Sequence, residues 1–314
     1  AKYGILTELL PPEKLVIANG WIEGLTVASI IIGTVLGGVL ITPAVAAIFL
    51  EFDFPYINTG VDTIPEASII FIAAFYCIAA IFNLYIPNTG VAHRILNKNP
   101  IFLIHEFRHC FNLLWTDKLG QISLAVTTLF WGAGATLQFI VLKWAEMALD
   151  YPLNKAAQLQ GIVAIGIAVG AVMAARFVSL RQSVKVIPLG IAMGVVVMAM
   201  TIAYKLWVAV ILLMLIGGLA GFFVVPMNAL LQHRGHILMG AGHSISVQNF
   251  NENLSILVML TMYALLISFD VHIYSVIIMF GSFVAITMTL IRRWHMLNQS
   301  KEDSLHLIGE HKKL

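Results

Sequence analysis

The sequence has little charge and little cysteine. Only 11% of its 314 residues are charged, whereas a soluble domain has about a quarter. Hydrophobic residues make up 60%, and the mean hydropathy is +0.91. These values exclude an ordinary soluble domain and are typical of a chain that crosses a membrane several times. The two cysteines, Cys77 and Cys110, exclude a disulfide framework, and neither has a neighbour at metal-ligand spacing.

Several motifs are also absent. No G-x-x-x-x-G-K loop occurs, so ATP is not expected to drive the chain directly. No histidine precedes an aspartate by five positions, which excludes the H-x-x-x-x-D pattern of glycerolipid acyltransferases. We therefore expect no enzyme activity, no cofactor and no nucleic-acid partner. The opening "AKYGILTELLPPEKL" lacks the apolar core of a signal peptide, and it predicts a start inside a longer protein.

Long apolar runs dominate what is present. A membrane helix needs roughly 20 mostly apolar residues, and eight segments qualify. They lie at about 17–42, 67–87, 120–142, 158–179, 184–204, 206–231, 246–268 and 272–291. The first could continue to residue 50 with a bend at Pro43. The sequence therefore predicts an all-α, multi-pass membrane bundle.

The basic residues orient these spans. With a cytoplasmic N-terminus, Lys143, Lys155 and Lys205 lie outside, and the other fifteen of the 18 Lys and Arg (18 − 3) lie inside. Cytoplasmic loops of membrane proteins carry this excess of basic residues. The external segment 51–66 contains acids and no base. Both termini are therefore predicted to be cytoplasmic.

The spans are unevenly spaced. Two spans lie in residues 1–88, a cytoplasmic linker covers 89–118, six spans occupy 119–296, and a polar tail covers 297–314. Six spans after a long central loop resemble the second half of a major facilitator transporter, which has two six-helix halves. The two leading spans then correspond to the end of a first half, with four helices missing.

The linker contains "HEFRH" (105–109), which matches the H-E-x-x-H signature of zinc metalloproteases. Such a site also needs a third ligand, and the neighbouring sequence offers only Asp117. At 100° per residue, apolar residues of 104–115 share one face, His105 and His109 lie on its flank, and Glu106 lies on the far side. The preferred interpretation is an amphipathic helix on the membrane surface, and a membrane zinc protease is the alternative.

Polar residues within spans are costly in lipid and indicate a transport pathway. Glu23 lies near the cytoplasmic end of the first span, where it is either a cavity residue or an interfacial one. "VQNFNEN" (247–253) contains two i,i+4 pairs, Gln248 with Glu252 and Asn249 with Asn253, which predict one polar stripe. The stripe either binds a headgroup or joins helices by hydrogen bonds. Asn228 follows Pro226 and is a weaker hypothesis for a gate.

Seven stretches, in order along the chain, resemble the lysophospholipid transporter family of the major facilitator superfamily. They are "AKYGIL" (1–6), "KLVIANGWIEGLTVASIIIGTVLGG" (14–38), "NLYIP" (83–87), "LFWGAGATLQF" (129–139), "VAIGIAVGAVMAARFVSL" (163–180), "LLMLIGGLAGFFVVPMNALLQHRG" (212–235) and "GAGHSISVQNFNEN" (240–253). The resemblance implies lysophospholipid transport across the bacterial inner membrane, membrane-lipid contacts, and a cytoplasmic-side acyltransferase that remakes the diacyl lipid. An efflux or metabolite carrier of the same superfamily is the alternative within transport.

The sequence departs from this family at Gln138, where relatives carry a basic residue. The nearest cation, Lys143, lies five positions on, on another helical face. The candidate substrate-binding residues are Glu23, Gln138, Asn228, Gln248, Asn249, Glu252 and Asn253, and no metal-binding residue is predicted.

Overall fold

The computed structural model describes residues 4–40, 63–86, 99–301, 303 and 308. Within these residues the secondary structure is helical and contains no strand. The chain divides into two units, Ala1–Val27 with Ala92–Leu314, and Ala28–Val91. The predicted division at residues 88, 118 and 296 stays a prediction.

Ten α-helices are described. They are α1 (Gly4–Leu9), α2 (Leu15–Leu40), α3 (Ile64–Asn83), α4 (Pro100–Thr116), α5 (Gly120–Leu149), α6 (Leu153–Phe177), α7 (Ile187–Ala199), α8 (Leu206–Met239), α9 (Ala241–Ser268) and α10 (Ile273–Lys301). Short 3₁₀ turns at Pro12–Lys14, Leu180–Val186 and Met200–Ile202 adjoin α2 and α7.

The described residues include six helical segments that are long and apolar enough to cross a membrane. They are Gly120–Leu149, Lys155–Phe177, Leu180–Ile202, Leu206–Met239, Ala241–Ser268 and Ile273–Lys301. They correspond to the last six predicted spans, and the first two predicted spans coincide with α2 and α3. The predicted all-α, multi-pass bundle is thus confirmed. The proposed bend at Pro43 lies outside the described residues.

Several helices extend beyond their predicted spans. Helix α8 continues from residue 231 to Met239, α10 from 291 to Lys301, and α5 from 142 to Leu149. Hydropathy marks only the apolar part of a helix, whereas backbone hydrogen bonding continues through polar residues until a stop signal. The extension of α8 therefore carries Gln232 and Arg234 on a helix end.

Helix boundaries follow local capping chemistry. The side chain of Asn99 caps the start of α4 by accepting a hydrogen bond from the Ile101 amide at 3.0 Å. Pro100 is the first residue of this helix, a position that suits proline. Helix α5 ends at Leu149, and Asp150, which follows it, has a left-handed φ of 53°. Gly240 has a φ of 86°, a conformation that suits glycine, and it separates α8 from α9.

In the larger unit, close helix packing rests on glycine. A Cβ at Gly166 of α6 would lie 2.5 Å from the carbonyl oxygen of Met214 in α8, and one at Gly194 of α7 would lie 2.7 Å from that of Gly281 in α10. Small residues allow helix backbones to approach in membranes, where no hydrophobic effect drives them together. The core around these contacts includes the fully buried Phe223 and Trp144.

Helix α3 lies in the smaller unit. Thr63 and Glu66 form a capping box, in which the Thr63 amide donates to the Glu66 carboxylate at 2.9 Å. Its apolar segment Ser68–Asn83 is shorter than the six membrane-length segments.

Candidate functional site

A buried polar cluster joins α2, α8 and α9. The amide nitrogen of Gln248 donates to the Glu252 carboxylate at 2.8 Å and to the Asn228 side-chain oxygen at 3.4 Å. Glu23 of α2 is close enough to Glu252 for the two carboxylates to repel each other. Exposure is 7% for Glu23 and 8% for Glu252, so both carboxylates are buried. Four of the predicted substrate-binding residues therefore lie in one place.

The two predicted columns on α9 have different environments. Gln248 and Glu252 are buried, whereas Asn249 and Asn253 are exposed. The Asn253 amide donates along the helix to the Asn249 carbonyl at 2.7 Å. The buried column is continued by Asn251, which the sequence reasoning missed and which donates to the Val247 carbonyl at 2.8 Å. The i,i+4 spacing identified both columns but could not show which one faces neighbouring helices.

Gln138 lies apart from the cluster contacts. It is exposed on α5, and its backbone carbonyl accepts a hydrogen bond from the Gln160 side chain at 2.8 Å. Lys143, the nearest cation along the chain, pairs with Glu146 at 3.0 Å.

Asn19 and Gln232 form a reciprocal amide pair between α2 and α8. Each side-chain nitrogen donates to the other's oxygen at 2.9 Å, and both residues are buried. The second Asn19 hydrogen bonds the Leu15 carbonyl at 2.8 Å. The sequence reasoning did not predict this pair, which joins two helices that are distant in sequence.

Arg234 and Asp117 form a buried ion pair, which the sequence reasoning also missed. The guanidinium contacts the carboxylate at two points, at 2.6 Å and 3.2 Å, and both side chains are less than a tenth exposed. The Asp117 carboxylate also accepts from the amides of Leu119 and Gly120, at 3.2 Å and 2.7 Å. Asp117 therefore caps the start of α5 while it holds the end of α8. An aspartate just before a helix start is a sequence signal for helix capping. The ion pair could not be predicted in this way, because the arginine lies 117 positions away.

The "HEFRH" segment lies on α4, as expected for a surface helix. His105 and His109 are exposed, whereas Phe107 and Phe111 pack edge-to-face on Phe250 of α9, with ring centroids 5.3 Å and 6.2 Å away. The helical wheel placed Glu106 on the far side of the helix from the apolar face. In the structure Glu106 does not lie on the solvent side, because its carboxylate faces His243 of α9 at 3.6 Å.

Nothing in the described residues supports a zinc protease. No group of three or more His, Cys, Asp or Glu side chains in that part of the chain is arranged to hold a metal ion.

Cys110 lies beside this motif on α4. Burial and, secondarily, the Glu106 charge raise the pKa of its thiol.

A separate pocket lies near the N-terminal end of the described chain. Its volume is about 330 Å³, and its lining includes Thr7, Glu8, Leu15, His233 and His236. None of the predicted substrate-binding residues lines it. We therefore place the candidate site at the buried polar cluster, where polar side chains meet inside membrane-length helices.

Comparison with solved structures shows which fold the chain has. The chain is similar to the crystal structure of a bacterial homologue of the iron transporter ferroportin in an outward-facing state, with a TM-score of 0.59, 14% identity, and coverage of 95% of this chain and 67% of that one. This chain therefore shares the helical fold of that structure. No protein-family model matches the chain.

Sequence comparison then identifies its relatives. The chain is 40% identical over 266 residues to the lysophospholipid transporter LplT of Serratia proteamaculans (strain 568). It is 39% identical over 277 residues to the protein of the same name from Yersinia pestis (strain Pestoides F). These matches cover 84% and 88% of this chain, so the resemblance to the lysophospholipid transporter family is confirmed. The chain spans 62–63% of the length of these relatives.

Proposed function

We propose that this chain forms part of a lysophospholipid transporter of the bacterial inner membrane. The supporting observation is its 39–40% identity, over most of its length, to proteins named lysophospholipid transporter LplT. The proposed transport moves the lysolipid to the cytoplasmic side, where a membrane-associated acyltransferase restores the second acyl chain. Transport proceeds by alternating access between two helical bundles.

The buried cluster suits the polar part of such a substrate. A lysophospholipid headgroup carries a phosphate and in many cases an ammonium, and taking these groups through bare hydrocarbon is prohibitive. Glu23 and Glu252 can meet the ammonium, whereas Asn249 and Asn253 on the adjoining column can donate to the phosphate. Gln248 donates a hydrogen bond to Glu252, and Asn228 accepts one from Gln248. The acyl chain stays in hydrocarbon while the headgroup crosses.

We infer that both termini are cytoplasmic, because this orientation puts fifteen of the 18 basic residues inside. On this orientation, the end of α8 with Arg234 and the start of α5 with Asp117 lie at the cytoplasmic face. Their ion pair then stabilises contact between two helix ends on the side where substrate would be released.

Uptake of labelled lysophosphatidylethanolamine tests the proposal. Cells without their own transporter would express this chain, alone or joined to the part of the Serratia relative that lies outside the match. We expect the joined protein to support uptake and this chain alone not to do so, because two leading spans provide only part of one bundle. Absence of uptake by a well-expressed joined protein would contradict the proposal.

Two variants of the joined protein test the stripe on α9. Glu252→Ala and Asn253→Ala are each expected to reduce uptake at normal expression, since membrane hydrogen bonds average only about 0.6 kcal/mol and the fold should survive. Glu146→Ala, which removes an exposed carboxylate elsewhere, is the matched control. Normal uptake by both stripe variants would mean that the stripe only packs helices.

A further inference from the structure

Four exposed basic side chains share one end of the α7–α10 pair. Arg181 and Lys185 belong to the 3₁₀ turn Leu180–Val186, which leads directly into α7. Arg292 and Arg293 belong to α10, and all four side chains are exposed. We call these four residues the basic patch.

The packing of α7 on α10 brings the two halves of the basic patch to the same place. A Cβ at Gly194 would lie 2.7 Å from the carbonyl oxygen of Gly281, and one at Gly190 would meet the side chain of Met288. The two helices are therefore antiparallel, and α10 runs past the turn that precedes α7. Arg292 lies one helical turn beyond Met288 on the same face of α10. Arg292 is thus next to the 3₁₀ turn that carries the other half of the patch.

No carboxylate neutralises the basic patch in the part of the chain that the structure describes. No aspartate or glutamate occurs in the sequence between Asp150 and Glu252. The ion pairs of the described residues join other basic groups, such as Lys143 and Arg234, to their acids. Four like charges without a counter-charge repel one another, so the patch complements an anion.

The basic patch also borders apolar side chains that face lipid. Arg293 shares a face of α10 with Ile286, Leu290 and Leu297, which follow at helical spacing and are 57–62% exposed. On a membrane-length helix, such an exposed apolar stripe contacts hydrocarbon. Trp294, the next residue, has the amphipathic ring that is enriched at membrane–water interfaces. The patch therefore lies at the depth of lipid headgroups, which arginine and lysine reach with their long side chains.

We propose that the basic patch binds the phosphate of an anionic diacyl phospholipid, such as phosphatidylglycerol, from the surrounding membrane. Guanidinium groups bind phosphate through two parallel hydrogen bonds, and the lysine adds a further positive charge. The acyl chains remain in hydrocarbon against the exposed apolar stripe of α10. The site is separate from the buried polar cluster, and it depends neither on the proposed transport nor on which face is cytoplasmic.

Native mass spectrometry of the detergent-solubilised chain tests the proposal. The chain would be titrated with phosphatidylglycerol or with phosphatidylcholine of the same acyl chains. We expect tighter binding of phosphatidylglycerol, because phosphatidylcholine has no net charge. Arg292→Gln with Arg293→Gln should weaken phosphatidylglycerol binding by about fivefold for each charge removed, and leave phosphatidylcholine binding unchanged. Arg181→Gln with Lys185→Gln should have a similar effect.

The matched control removes two charges at the other end of the bundle. Lys155 lies at the far end of α6, and Lys205 follows the far end of α7; both are exposed. Lys155→Gln with Lys205→Gln changes the net charge equally and should leave the preference for phosphatidylglycerol intact. Arg292→Lys with Arg293→Lys keeps both charges and should retain most of the preference.

Several results would overturn the lipid site. Equal binding of the two lipids by the wild-type chain would mean that the basic residues only set the orientation of the spans. Equal weakening by the control pair would mean that net charge, and not this patch, attracts the lipid. A lysine pair that binds as weakly as the glutamine pair would show that the loss does not come from charge.

Two further measurements locate the ligand and identify its source. A photoreactive phosphatidylglycerol should crosslink to peptides that contain the 3₁₀ turn or the end of α10, and crosslinks confined to other helices would contradict the site. Inorganic phosphate at millimolar concentration should not displace phosphatidylglycerol, because it gains nothing from the apolar stripe. Full displacement by inorganic phosphate would identify a site for a soluble anion and overturn the lipid assignment.

Discussion

At the residue scale, buried polar groups in this chain are held in pairs. The Arg234–Asp117 ion pair and the Asn19–Gln232 amide pair each connect elements that are far apart in sequence. In the sequence alone, one member of each pair looks like any other polar residue near a helix end, and nothing there indicates that it is buried. Its burial becomes intelligible only with its partner, because an unpaired polar group inside the bundle would be strongly destabilising.

Removing one member of the buried ion pair should therefore be costly. Arg234→Ala leaves the Asp117 carboxylate buried without its counter-charge, and such changes typically destabilise by about 3–5 kcal/mol. The free energy of unfolding in mixed micelles measures the effect. Lys143→Ala breaks an ion pair whose side chains are 42% and 62% exposed, and should cost about 0.2–1 kcal/mol. Equal losses in the two variants would mean that the buried pair has no special role.

At the element scale, α6 and α8 approach closely because glycines line their contact. A Cβ at Gly170 would meet the carbonyl oxygen of Gly218 and lie 2.9 Å from the Phe222 amide nitrogen. Since both obstacles are backbone atoms, no side-chain rotation can relieve the clash. The packing of these two helices thus depends on the absence of a side chain.

Gly170→Ala is expected to destabilise the chain by about 1–3 kcal/mol or more, as overpacking does. Gly161→Ala, on the same helix, is the matched control, because no described atom lies within 4 Å of a Cβ placed there. Thermal unfolding and folded yield in detergent would be measured for both variants. Similar stability of the two would show that α6 and α8 can separate at no cost.

Helix α4 packs against α9 through aromatic contacts and a small buried apolar cluster. Cys110 on this helix is only 6% exposed, and burial raises the pKa of its thiol. Because the thiolate is the reactive form, less of it exists at pH 7 than in a free cysteine. The reactivity of Cys110 therefore reports on whether α4 stays in place.

In a Cys77→Ser background, maleimide should label Cys110 slowly at pH 7 and faster as pH rises. Phe250→Ala removes the ring that Phe107 and Phe111 contact. The variant should therefore speed the labelling of Cys110 by loosening α4. Labelling kinetics followed by mass spectrometry test both points. Wild-type Cys110 reacting as fast as a free thiol would contradict the docked position of α4.

At the scale of the whole molecule, the distribution of basic residues predicts which face is cytoplasmic. Asp150 at the end of α5 and Arg181 after α6 are both exposed, and the proposed orientation places them on opposite sides. In a chain without native cysteines, an impermeant maleimide added to spheroplasts should label Asp150→Cys and not Arg181→Cys. The reverse pattern would invert the orientation.

Much of this architecture could be predicted from composition and periodicity. The last six spans were found because a lipid environment requires long apolar segments with internally bonded backbones. The same logic identified the polar stripe on α9, since i,i+4 polar pairs stand out against an apolar background. Helix ends were less predictable, and α8 extends eight residues beyond its predicted end at 231, to Met239, because hydropathy does not report backbone hydrogen bonding.

What only the tertiary structure decided is which side chains meet. The sequence by itself determined that Gln248 and Glu252 share a helix face, because helical geometry is local. That Glu23 and Asn228 join them, that Asn249 and Asn253 are exposed, and that Asp117 receives Arg234 all depend on how helices pack. Packing depends on contacts between segments that are distant in sequence. The periodicity within one segment therefore cannot predict which helices pack together.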